Sequence, residues 1–187
     1  MKVKNKTILI LTILITICSN GQENRSNTSL KNNLIVNFIN PSLEYELVVG
    51  KRSILSSSLG VGYNGAYNEL TISNDGFNYI IAPFVDFQYK FMYNRKRREK
   101  LNKTLSNNSG NFISLRAITR GWSIAENVTR SDDFDFAVGP TWGFQRTWTN
   151  NIRLLMDIGP QYYFDSKGNS GFFPFMIQIN IGYNLTK

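Results

Sequence analysis

The chain has no histidine and a single cysteine among its 187 residues. Without histidine it lacks the one side chain whose ordinary pKa puts a proton in play near neutrality. That removes the usual general base, the usual proton shuttle and the commonest metal ligand. The cysteine, Cys18, follows an eleven-residue stretch, TILILTILITI, and precedes Ser19-Asn20-Gly21-Gln22. MKVKNK, with three lysines, stands before the stretch. A basic start and an apolar run too short to span a bilayer as a helix predict a secretory signal over residues 1–21. Ser19 and Gly21 supply the small residues expected before cleavage at Gln22. Acylation of Cys18 would call for a small residue before it, and Ile17 stands there. Cleavage after Gly21 leaves no thiol, which excludes a disulfide, a thiol nucleophile and a thiolate metal site. There is no serine-centred glycine motif either, so neither an enzyme nor a cofactor is expected.

General basicity is also lacking, despite a net charge of +8. Removal of Lys2, Lys4 and Lys6 with the signal lowers this to +5. The segment 94–110 carries Arg95, Lys96, Arg97, Arg98, Lys100 and Lys103 against Glu99, which accounts for all of that excess. A nucleic-acid binder spreads positive charge over a face and carries a recognisable module, and none is present, so nucleic acid is not an expected partner. The segment reads as a charged turn. Its sharper reading is contact with anions such as lipid headgroup phosphate, lipopolysaccharide or the cell wall.

Helical periodicity is missing throughout the chain after the signal. Residues 22–33 are polar and read as a flexible lead. From Leu34 onward the pattern has period two, the signature of strands with two unlike faces. In the last segment, Phe173, Phe175, Ile177, Ile179, Ile181, Tyr183 and Leu185 alternate with Pro174, Met176, Gln178, Asn180, Gly182 and Asn184. Similar alternation runs over 53–67, 77–93, 134–148 and 152–164, and more weakly over 111–122. Two shorter segments, 34–40 and 42–49, flank Asn40-Pro41-Ser42, which reads as a turn between two strands; one bent strand is the alternative. The chain is therefore expected to be all-β, with eight antiparallel strands in residues 34–187.

Two architectures fit such a pattern. A soluble barrel turns its apolar parity inward and could bind a small apolar ligand in the periplasm. A transmembrane barrel turns it outward to lipid and fills its lumen with small or charged groups. The second is favoured by aromatic residues near strand ends, including Tyr63, Tyr67, Phe77, Tyr79, Phe91, Tyr93, Trp148, Tyr162 and Phe164. Glycine and serine on the opposite parity, and five segments longer than the ten or so residues needed to cross at a tilt, favour it too. Pro83, Pro140, Pro160 and Pro174 fall inside the expected strands, with Gly139-Pro140 and Gly159-Pro160 as candidate bulges.

The segment YNRKRREKLNKTLSNNSGNFISL, Tyr93 to Leu115, takes an aromatic-Asn strand end into an Arg/Lys turn and then Asn-Ser-x-Asn-Phe before the next strand. With Pro41-Ser42-Leu43-Glu44-Tyr45-Glu46, it resembles the small outer-membrane β-barrel proteins of Gram-negative bacteria, of OmpX-like size and uncharacterised function. The chain departs from them in ending Asn-Leu-Thr-Lys instead of in an aromatic residue. The resemblance implies an outer-membrane location, contact with outer-membrane lipid and an up-and-down barrel. An eight-strand interior is just wide enough for side chains to fill it. Asp86, Lys90, Arg116, Arg120, Arg153 and Asp157 are expected there as a paired charge network; a narrow ion path is the alternative. The function expected is structural or surface interaction. Asp132, Asp133 and Asp135 form the one carboxylate cluster, and no metal is assigned to it.

Overall fold

The computed structural model describes residues 29–63, 72–73, 76–77, 80–126, 132–148 and 151–186. The signal expected at 1–21, residues 22–28 of the polar lead, and Tyr67 and Tyr79 lie outside the described residues. The strands are β1 (Asn33–Asn37), β2 (Ser42–Val48), β3 (Ser53–Tyr63), β4 (Ile72–Ser73), β5 (Gly76–Phe77), β6 (Ile80–Phe91), β7 (Gly110–Arg120), β8 (Ala125–Glu126), β9 (Asp135–Thr147), β10 (Ile152–Asp165) and β11 (Ser170–Asn184). A short helix, α1 (Arg95–Lys100), and a 3-10 turn, Ser106–Asn108, stand between β6 and β7.

Nine strands form one antiparallel sheet in the order β3-β2-β1-β11-β10-β9-β7-β6-β8, and β4 pairs with β5 in a separate two-residue hairpin. β3 also pairs with β6, from Ser53 opposite Phe91 to Tyr63 opposite Ile81. β1 and β2 are separate strands paired antiparallel, Leu34 opposite Tyr45 and Asn37 opposite Ser42, so the bent single strand is not what forms. Tight connections rest on asparagine. Asn102, Asn107, Asn108 and Asn151 all have positive φ, a backbone region that asparagine enters more readily than most residues with a Cβ.

The proline expectations divide. The register between β10 and β11 shifts between Gly159 and Gln161, so Pro160 does sit at an irregularity, with Pro174 and Phe175 facing it from β11. Pro140 does not: β7 and β9 keep one register through Leu115 opposite Pro140. The polar lead is also shorter than expected. Asn33 begins β1, and Leu30 packs on a buried apolar cluster of Ile54, Met92, Phe112 and Leu155.

The two sheet faces have opposite chemistry. The buried parity is polar: Ser42, Glu44 and Glu46 on β2, Asp86, Gln88 and Lys90 on β6, Ser114, Arg116 and Arg120 on β7. The exposed parity is apolar, with Leu59, Phe172, Phe175 and Ile177 each more than 60% exposed. Among the described residues the buried face has two small apolar clusters, one around Phe112 and a second made of Phe84, Ile118 and Ala137.

Candidate functional site

Period-two geometry delivers the charged side chains to the buried face, because every second residue of a strand points the same way. The three largest fully buried side chains among the described residues are Arg116, Arg153 and Lys90. All six charges expected in the interior are buried there, and they fall into three groups.

The first group joins β2, β6 and β10. Lys90 Nζ lies 3.2 Å from Glu44 Oε1 and 3.2 Å from Glu46 Oε1. Arg153 donates to Glu44 Oε1 at 3.0 Å and to Glu46 Oε1 at 3.2 Å, and its second terminal nitrogen donates to Glu44 Oε2. Two cations and two carboxylates balance. Neutral donors add to the carboxylates: Ser56 Oγ to Glu44 at 2.6 Å, Asn37 Nδ2 to Glu44 at 3.0 Å, and Asn33, Asn108 and Gln145 to Glu46 at 3.0, 2.8 and 3.0 Å.

The second group joins β6, β7 and β10. Arg116 donates to Asp86 Oδ2 from Nε at 2.9 Å and from Nη2 at 2.6 Å, and its Nη1 lies 3.8 Å from Asp157 Oδ1. Gln88 Nε2 donates to Asp157 Oδ2 at 3.2 Å and to Thr141 Oγ1 at 3.1 Å. The third group is Arg120 on Asp135, with Nε donating to Oδ1 at 2.7 Å.

Glu44 and Glu46, which the sequence reading used only as part of a resemblance, are therefore central to the interior. The signal was present: Leu43, Tyr45 and Leu47 are exposed and Ser42, Glu44 and Glu46 are buried, the same alternation on a shorter strand. Gln88 and Gln145 stand on the polar parity of their strands but carry no charge to single them out, and Asn108 lies outside the strands. The acidic cluster comes apart. Asp135 is taken up by Arg120, whereas Asp132 accepts from the Ser166 hydroxyl at 2.5 Å and from the Ser166 N–H at 2.8 Å. Among the described residues no group of three or more acidic, histidine or cysteine side chains is placed to hold a metal ion.

The basic segment, expected as a charged turn between two strands, does connect β6 to β7, and within it Arg95–Lys100 is helical. Six residues are too few for helical propensity to sustain it, so tertiary contacts must hold it. Arg98, buried, donates to the Thr104 carbonyl at 3.2 and 2.8 Å. Arg95, also buried, reaches the carbonyls of Ser29 at 3.3 Å and of Leu105 and Ser109 at 3.5 Å. Burial lowers the pKa of both guanidinium groups from the ordinary arginine value, and the Arg98 charge lowers that of Arg95 further. Lys96, Arg97, Lys100 and Lys103 point outward. Asn108 ties this segment to the lead, accepting from the Lys31 N–H at 2.9 Å and donating to the Lys31 carbonyl at 2.7 Å. The helix, the 3-10 turn and the lead thus gather at the end of the sheet where Leu185 N–H meets the Leu34 carbonyl.

The buried face is one of ion pairs and amides. Comparison with protein-family models, with curated proteins and with solved structures finds no match to this chain.

Proposed function

We propose that this chain is an outer-membrane β-barrel protein with a structural or surface-interaction role and no enzymatic activity. The observation that carries the reading is the inverted burial of the sheet: arginine, lysine, glutamate and aspartate inside, phenylalanine, leucine and isoleucine outside. In water that inversion leaves a broad apolar surface with nothing to cover it, far beyond the few hundred Å2 a soluble monomer tolerates. In a bilayer the outer face is solvated by lipid and the polar interior stays away from it.

Strand pairing supports closure. The β3–β6 pairing links the two sides of the strand order, so β3, β2, β1, β11, β10, β9, β7 and β6 form a cycle of eight, with β8 an appendage on β6. Closure removes the edges that a bilayer cannot satisfy. Six of these strands have 11 residues or more, against the roughly 9–11 needed to cross at a tilt. Paired charged side chains occupy the buried face, which favours a plugged barrel over a channel. A soluble barrel with an apolar ligand site would need the opposite parity inside.

The test is electrophoretic mobility of detergent-extracted protein, unheated against boiled, together with its cell fraction. A heat-dependent shift in outer-membrane protein is the expected result. A soluble protein with one mobility would overturn the proposal.

A further inference from the structure

The fold separates the six cations of the basic segment into two kinds. Arg95 and Arg98 are buried and spend their donors on backbone carbonyls of the same end. Lys96, Arg97, Lys100 and Lys103 are exposed, with Glu99 the one acid among them. Two further exposed lysines come to this end from other parts of the chain: Lys31, bound through its backbone to Asn108, and Lys51, in the β2–β3 turn beside Arg52, whose carbonyl accepts from Met92 N–H at 2.8 Å. The helix dipole accounts for cations in the last turn of α1. It does not account for Lys31 or Lys51, which belong to other elements.

Among the described residues the opposite end has the other sign: Glu126 at the end of β8, Asp132 and Asp133 before β9, and Asp165 at the end of β10 stand against Lys167. The basic end also runs directly into the apolar outer face: Leu101 is 54% exposed next to Lys100, and Val49 and Tyr93 are exposed beside the Lys51 turn and the start of α1. A cluster of cations bordering an apolar band matches the boundary of an anionic leaflet, where acyl chains meet phosphate.

We infer that Lys31, Lys51, Lys96, Arg97, Lys100 and Lys103 form a collar that binds the headgroups of anionic phospholipid in the leaflet at this end of the barrel. The inference rests on the barrel reading above and names the partner for one of its two ends. Arg95 and Arg98 are positioning residues that set the outward cations on a short helix.

The experiment places the full chain in nanodiscs of mixed phosphatidylglycerol and phosphatidylethanolamine, then measures the lipids retained after extraction, by native mass spectrometry. Wild type should retain phosphatidylglycerol preferentially. The quadruple variant Lys96→Gln, Arg97→Gln, Lys100→Gln, Lys103→Gln should lose that preference, by up to about fivefold for each cation removed. Lys167→Gln, at the other end, should keep it. The heat-dependent mobility shift is read on the same samples. An unchanged preference in the quadruple variant, with the shift intact, overturns the collar and leaves the barrel standing. Wild type without a shift overturns the barrel itself. Retention of a soluble cell-wall glycan fragment without any lipid preference also overturns the collar. Should the quadruple variant fail to fold, Lys51→Gln with Lys103→Gln, both outside α1, asks the same question with a smaller expected loss.

Discussion

Arg153 is the residue on which most of the interior converges. It bonds Glu44, Glu46 and Asn37 and shares both carboxylates with Lys90. Removing one partner from a buried ion network leaves a buried charge without compensation, at a cost of about 3–5 kcal/mol. Arg153→Met should therefore lower unfolding stability by that order, seen as an earlier urea midpoint for the loss of the compact electrophoretic form. Replacing all four charged members together with apolar residues of similar volume should cost much less, since no charge is then stranded. A second residue-scale prediction concerns Asp132. The Ser166 hydroxyl, with the backbone N–H groups of Phe134, Ser166 and Asp133, lowers its pKa from 3.8 to about 2. A carboxyl depressed on folding favours the folded loop while it is ionised. The link to Ser166 should be fully present above about pH 4 and be lost as pH falls toward 2. Amide exchange at Ser166 across that range measures it, and Asp132→Asn should remove the pH dependence.

At the scale of elements, two glycines, one on β9 and one on β10, each face backbone of the other strand where a side chain would not fit. A Cβ at Gly139 would lie 2.1 Å from the Pro160 carbonyl oxygen, and one at Gly159 would lie 2.0 Å from that of Pro140. Neither oxygen can rotate away as a flexible side chain could, so the strands would have to part. Gly139→Ala should destabilise by about 1–3 kcal/mol, the usual cost of overpacking. The measurement is the same urea midpoint, with the loss concentrated in amide protection along β9 and β10. The glycine pattern was visible in the sequence as Gly139-Pro140 and Gly159-Pro160. A bulge forms at the second pair and not the first, because a register shift depends on the partner strand. β11 supplies an extra residue opposite Pro160, whereas β7 runs past Pro140 in step. The helix α1 was invisible for a related reason. Six residues show less than two turns, and Arg95 and Arg98 look like any other charges until the carbonyls they reach are known.

For the whole molecule, the interior network has a functional consequence. Lys90, Arg116 and Arg153 link β2, β6, β7 and β10 across the buried face, and each lies against at least one carboxylate. On the barrel proposal those paired side chains plug the interior, so planar-bilayer recordings of the reconstituted protein should show no steady conductance. A steady open level in the wild type would refute the plugged interior and favour the channel reading. Glu46→Gln, which weakens the network without emptying it, should leave the membrane silent as well.

The alternation of apolar and polar residues determined most of the architecture. A period of two leaves a strand no choice but to separate its residues onto two faces, and eight such segments from residue 34 onward require one antiparallel all-β sheet. It also puts Asp86, Lys90, Arg116, Arg120, Arg153 and Asp157 on one class of face. Alternation cannot say which face is inside, because both senses have the same period; the burial of the charged parity decided that. Nor can it say which charge meets which. Glu44 lies 109 residues from Arg153 and 46 from Lys90, and only strand order and register bring them together. The same holds at the basic end: the run from Arg95 to Lys103 is plain in the sequence, but its division into buried struts and outward cations follows from which backbone carbonyls the folded chain leaves within reach.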